Sequence, residues 1–146
     1  MSSVLRVTIF HTGGLWMNSR HFCTAQPSQV AFHPISCALI EHEEHGPVLF
    51  DTGLGSRSAE LMNHRSIKFM ARLARVVYRP EYQLRANIER LGHEMVDIRH
   101  VVMSHLHLDH SGGMVDLPEA TFYVDPREWS YAQRVSGLRG LLQGYL

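Results

Sequence analysis

Apolar and polar side chains alternate from Val4 to Phe10, the period of a strand with one buried face, and Gly13-Gly14 is expected to break that strand. Leu15 to Val30, rich in Ser, Gln and Pro, reads as a long irregular loop in which Trp16, Met17 and Phe22 serve either as pocket walls or as packing. Ile35 to Glu41 and Pro47 to Phe50 flank the polar run 41–46 and predict a hairpin. From Arg57 to Arg79, five basic residues (Arg65, Lys68, Arg72, Arg75, Arg79) interleave with Leu61, Ile67, Phe69, Met70, Leu73, Val76 and Val77. That spacing predicts an amphipathic helix with a basic face, packed on the domain in preference to a membrane surface or an acyl chain. A second helix is expected from Glu81 to Leu91, entered after Pro80 and stopped by Gly92. Ile98 to Met103 is nearly all apolar, as in a buried strand, Thr121 to Val124 reads as a further strand, and Arg127 to Val135 as a short helix. The order of elements predicts one α/β domain without linkers or repeats.

Chemistry concentrates directly behind the Ile98 to Met103 strand, in His105-Leu106-His107-Leu108-Asp109-His110-Ser111-Gly112-Gly113. Neutral imidazole nitrogen and carboxylate oxygen suit a borderline cation such as Zn²⁺. In an extended stretch His105, His107 and Asp109 project to one side, while Leu106 and Leu108 project into the core. Asp109 and His110 are adjacent, so they face one metal together only if the chain turns there, a turn that Ser111-Gly112-Gly113 would permit. The block therefore reads as two ligand pairs, His105 with His107 and Asp109 with His110, for two neighbouring metals. Ser104 and Ser111 flank it without an activating base of their own. His11, His21, His33, His42, His45, His64, His93 and His100 lack ligand-spaced partners and are read as structural or solvated. Asp51, at the end of an apolar strand and followed by Thr52-Gly53, either caps a turn or hydrogen-bonds a ligand histidine and fixes its tautomer.

This block resembles the HxHxDH signature of the metallo-β-lactamase fold hydrolases. Val48-Leu49-Phe50-Asp51-Thr52-Gly53 is similar to that family's earlier strand-end motif, and the stretches 91–98 and 101–104 to the helix and strand that deliver the ligand loop. Within the family, residues 104–113 most resemble the quorum-quenching lactonases that open N-acyl homoserine lactones. The resemblance runs from about Val30 to Trp129. It implies an αβ/βα sandwich, of which residues 1–146 form the first half: one mainly β sheet with flanking helices, an incomplete single domain. It implies two metal ions, Zn²⁺ in the first instance with Fe, Mn or Co as alternatives, held by His105, His107, Asp109 and His110, with Asp51 beneath them. A metal-bound hydroxide would attack a small lactone or acyl substrate, and Asp109 would orient it and pass a proton. The alternatives are a glyoxalase II-like thioesterase or a β-lactamase on the same fold, and a non-catalytic fragment with weak metal affinity.

The resemblance also implies a third histidine for the first metal, a bridging aspartate and a further histidine, all well downstream. The chain has no histidine after His110, and Asp116, Glu119, Asp125 and Glu128 follow too closely to match. A truncated or split protein is expected, its inner sheet face unpartnered and prone to self-association. Composition refines this picture. With 14 basic and 14 acidic residues in 146, the chain has no general attraction to nucleic acid, which argues against the nuclease branch. Two cysteines, Cys23 and Cys37, outside any CxxC spacing fit a reduced, cytoplasmic chain, and no signal peptide or transmembrane stretch is expected.

Overall fold

The computed structural model describes residues 3–21, 23–63 and 75–135. Six strands form one mixed sheet in the order β4-β1-β2-β3-β5-β6. They are β1 (Val4–Asn18), β2 (Val30–His42), β3 (Gly46–Phe50), β4 (Val76–Val77), β5 (His100–Val102) and β6 (Thr121–Tyr123). The helices are α1 (Ser58–Asn63), α2 (Leu84–Arg90), α3 (Leu108–Ser111) and α4 (Pro126–Ala132). β1, β2 and β3 form an antiparallel meander, after which β3, β5 and β6 run parallel. Parallel neighbours need crossovers, and the crossover between β3 and β5 carries α1 and α2.

Phe10, Cys37, Leu39, Leu49 and Val101 project from one sheet face onto Leu84 and Ile88 of α2, with Met95, Ile98, Met103, Leu106 and Leu117 closing the core. On α2 the buried positions Leu84, Asn87 and Ile88 repeat at the i, i+3, i+4 spacing of a single stripe, while Arg85 and Glu89 face water. Each fully buried Leu or Ile contributes roughly 1.5–3 kcal/mol relative to exposure. The buried Asn87 amide donates to the carbonyl oxygens of His11 and Tyr82, at 3.2 and 3.0 Å, and so ties α2 to β1.

Three expectations are corrected by the structure. Gly13-Gly14 does not end the first strand. β1 continues to Asn18 through a register shift between His11 and Gly14, and Gly14 has no Cβ because the Phe32 ring and the His33 carbonyl occupy that space, the nearest ring atom 2.3 Å from where a Cβ would sit. Between β1 and β2 the described residues are a 3₁₀ turn at Ser19–His21 and the stretch 23–29, and Trp16 and Met17 lie on the strand. The helix expected from Arg57 to Arg79 is observed only at Ser58–Asn63, and the stretch 64–74 of that expectation lies outside the described residues. At its far end Arg75 has φ 42° and Val76-Val77 pairs with Gly14-Leu15 as β4. Two adjacent β-branched residues beside a free strand edge favour pairing over helix. The helix expected from Glu81 to Leu91 begins instead with a 3₁₀ turn, Pro80–Tyr82, before α2 proper.

Among the described residues, the other sheet face carries exposed apolar side chains. In-register partners share a face, which puts Ile9, Ala38, Phe50, Val102 and Tyr123 in one row across five strands, and Val7, Ile40, Val48 and His100 in the next. Val7 is 55% exposed, Ile9 74% and Tyr123 49%, an apolar surface characteristic of an interface. Ile9→Lys is expected to suppress concentration-dependent association in sedimentation velocity while leaving the melting temperature nearly unchanged. An unaltered sedimentation profile would show that association does not run through this face.

Candidate metal centre

Because β3 and β5 are parallel neighbours, their carboxyl ends lie side by side, and both chains leave the sheet at the same edge. Asp51 follows β3 and its N–H continues the ladder to the Val102 carbonyl at 2.9 Å, which sets Asp51 directly beside Ser104. Asp51 is buried and left-handed, with φ 58°, a backbone conformation that costs a non-glycine residue about 1–3 kcal/mol. That geometry turns its carboxylate back under the ligand block. Oδ1 accepts from the Ser104 N–H at 2.7 Å, and Oδ2 accepts from the Ser104 hydroxyl at 2.6 Å and from His110 Nδ1 at 2.8 Å.

The ligand block has no regular structure up to His107, whose backbone is extended, and then turns into α3 at Leu108. Leu106 and Leu108 are buried as expected, and His105, His107 and His110 gather above them. The His105 and His110 ring centroids are 4.1 Å apart, and His105 Nε2 is 3.1 Å from His107 Nδ1. Asp109 Oδ2 is 3.6 Å from His110 Nε2. The turn that brings Asp109 beside His110 is the helix, which corrects the role expected for Ser111-Gly112-Gly113. Gly112 and Gly113 have ordinary helical φ values of −59° and −87°. Their function is close approach. A Cβ on Gly55 would lie 2.2 Å from the Gly112 carbonyl oxygen, and one on Gly113 would lie 2.8 Å from the Thr52 carbonyl oxygen.

Around this contact the His110 carbonyl accepts from the N–H groups of Thr52 and Gly53 and from the Thr52 hydroxyl, and the Gly113 N–H reaches the Gly53 carbonyl at 3.0 Å. From α4, Glu128 Oε1 accepts the Leu106 N–H at 3.0 Å. Spacing in the sequence does not single out Ser104, Thr52, Glu128 or Gly55 as positioning residues. The signal for Gly55 is its place two residues after the Thr52-Gly53 strand end.

Electrostatics separates the titrating groups. Burial alone would raise the Asp51 carboxyl, but the hydrogen bonds from His110 and Ser104 outweigh it and hold Asp51 below the usual carboxylate range. Burial pulls the His110 imidazole down, yet the bond to Asp51 and the charges of Asp109 and Asp51 leave it raised. His105 is lowered, first by burial and then by the neighbouring His110 and His107. A neutral His105 is the form a cation requires.

Among the described residues, no group of three His, Cys, Asp or Glu side chains is arranged to hold a metal ion. The donors come in pairs, and the pairs fit the chemistry. A tetrahedral Zn–N shell of ~2.0–2.1 Å sets neighbouring donors about 3.3 Å apart, close to the observed His105 to His107 spacing. His110 is bonded through Nδ1 to Asp51, so in the neutral ring the Nε2 lone pair and Asp109 Oδ2 face each other as two donors available to one cation.

The family model of the metallo-beta-lactamase superfamily matches residues 30–139. The chain belongs to that superfamily. A probable metallo-hydrolase of Mycobacterium tuberculosis is 30% identical over 105 residues, 72% of this chain and 33% of that protein. The N-acyl homoserine lactonase of a Bacillus species is 29% identical over 110 residues, 75% of this chain and 44% of that protein. A solved N-acyl homoserine lactone hydrolase, with the product N-hexanoyl-L-homoserine at its catalytic metal centre, shares the fold with a TM-score of 0.71 at 23% identity, over 91% of this chain and 53% of that one. This metallo-beta-lactamase superfamily chain thus spans about half, or less, of the proteins it matches. Its mixed α/β architecture is that of the fold's sheet with flanking helices, and membership implies metal ions. Of the aromatic wall residues expected, Trp16 packs on Phe32 with ring centroids 5.6 Å apart, and Phe22 lies outside the described residues. No helix of the described residues is long and apolar enough to cross a membrane.

The opposed shifts of Asp51 and His110 predict a pH window for the metal-free protein. The depressed Asp51 contributes stability above the ordinary carboxylate range that is lost as pH falls through its lowered value. The raised His110 contributes stability below the ordinary imidazole range that is lost as pH rises through its raised value. The melting-temperature difference between the parent and Asp51→Asn, measured after chelator dialysis, is expected to peak at about pH 4–6.5 and to shrink on both sides. A difference that does not shrink below about pH 4 or above about pH 6.5 would contradict the pairing.

Proposed function

We propose that this chain carries the HxHxDH half of a dinuclear zinc hydrolase that opens lactones of the N-acyl homoserine class, and that residues 1–146 are the first half of its domain. The observation that supports this most directly is the convergence of His105, His107, Asp109 and His110 over one buried carboxylate at the carboxyl edge of the sheet. The lactonases among the relatives favour a lactone over other acyl substrates. Zn²⁺ suits the His and Asp donor set, with Fe, Mn or Co as substitutes set by supply. Two free thiols, Cys23 exposed and Cys37 buried, support a reduced, cytoplasmic setting.

In this reading His105 and His107 would hold one ion, and His110 and Asp109 the other. When bound, the ions supply Lewis acidity that polarises the lactone carbonyl and lowers the pKa of water. Asp51 and Ser104 hold the imidazoles in place. Asp109, whose side chain is 40% exposed, would take a proton from the attacking water and return it to the ring oxygen as the acyl–oxygen bond breaks.

The test is turnover, by the metal-loaded longer protein that carries residues 1–146 as its first half, of three substrates: an N-acyl homoserine lactone, a glutathione thioester and a β-lactam. Lactone opening that falls at least ~100-fold in His107→Ala, in line with the weight of a metal ligand, is the expected result. Faster thioester or β-lactam turnover would replace the lactonase reading with the corresponding acyl hydrolase. Metal uptake without turnover of any of the three would leave a non-catalytic metal-binding chain.

A further inference from the structure

Ser104 has a single hydroxyl hydrogen and three neighbours: Asp51 Oδ2 at 2.6 Å, His105 Nδ1 at 3.0 Å and His110 Nδ1 at 3.5 Å. An ionised carboxylate can only accept, so the short contact to Asp51 takes the hydrogen. The hydroxyl oxygen then faces His105 Nδ1 with lone pairs only, and the contact is favourable only if that nitrogen carries the ring hydrogen. A neutral His105 so held has its lone pair on Nε2, the atom facing His107. His110 is set in the same sense without an intermediary, because its Nδ1 donates straight to Asp51.

From this geometry we propose that Ser104 is a positioning residue that relays the Asp51 carboxylate to His105. One buried carboxylate thereby fixes both halves of the ligand set, His110 directly and His105 through the serine hydroxyl. In the metal-free chain the His105–His107 contact is completed by His107 donating from Nδ1 to His105 Nε2. The exposed His107 can exchange its hydrogen to Nε2 when a cation arrives, whereas His105 and His110 need no change. The arrangement gives a reason for the hydroxyl on the residue before the first histidine, and for the bond from its backbone N–H to Asp51: the two bonds fix the carboxylate plane from one residue. Its significance for metal binding rests on the reading of His105 as a ligand. The tautomer itself does not.

The experiment is long-range ¹H–¹⁵N correlation spectroscopy of the imidazoles in the metal-free 146-residue protein at about pH 8.5, above the ordinary imidazole range. His105 and His110 are both expected as single Nδ1–H tautomers. In Ser104→Ala, His105 is expected to shift toward the Nε2–H form while His110 stays Nδ1–H, and Ser104→Thr is expected to restore His105. Asp51→Asn should release both rings. An Nε2–H tautomer at His105 in the parent protein overturns the relay without any variant being needed. A His105 tautomer unchanged in Ser104→Ala, or a loss at His105 and His110 together that Ser104→Thr does not rescue, overturns it too, the latter pointing to a general loosening of the loop. None of these outcomes depends on turnover, so failure of the relay and failure of the hydrolase reading are separate results.

Discussion

The centre depends on one buried carboxylate. Asp51 is held in a left-handed backbone conformation at the end of β3 and takes three hydrogen bonds from the segment that follows β5. Hydrogen bonds to a charged group contribute about 1.5–3 kcal/mol each, enough to offset the backbone strain and much of the desolvation of the carboxylate. This carboxylate is the buried charge that fixes the Nδ1 side of His110 and, through Ser104, of His105. The other contacts of the loop, including those from Thr52 and Glu128, hold its path.

Those main-chain contacts are themselves a product of missing side chains. Thr52 to Gly55 can lie against α3 because Gly55, Gly112 and Gly113 allow backbone to meet backbone. The core beneath, with Leu106 packed in the cluster of Val101 and Met103 and Leu108 also buried, supplies the floor against which the loop is drawn. Packing, close approach and the buried carboxylate thus act in series: the floor sets the loop's height, the glycines its distance from β3, and Asp51 the orientation of the rings.

Much of this is legible in the sequence. The alternation of Val4 to Phe10, the hairpin over the polar turn, and the apolar run ending in Met103 all report on one buried sheet face, and local period suffices to read them. The ligand block is legible because donors packed at that density, with leucines between them, rarely serve any purpose but ligation. What escapes a sequence reading is non-local. The pairing of Val76-Val77 with Gly14-Leu15 overrides a helical spacing, because a free strand edge lies some sixty residues away in sequence. The glycines behind the block suggest a turn, whereas their reason is a neighbour on another loop. Ser104 looks inert in the sequence because its partner, Asp51, is distant along the chain and only the parallel pairing of β3 with β5 brings them together.

The central claim is that the four ligand-block residues form a metal centre organised by Asp51. It is tested most directly by titrating Co²⁺ into the purified 146-residue protein and recording the visible spectrum, which reports the donor set of a bound ion. Binding is expected with mixed nitrogen and oxygen ligation, weakened about 10–100-fold by Asp51→Ala and lost when His105, His107 and His110 are all replaced by alanine. A spectrum and affinity unchanged in the triple variant, or no binding at millimolar Co²⁺, would contradict the claim.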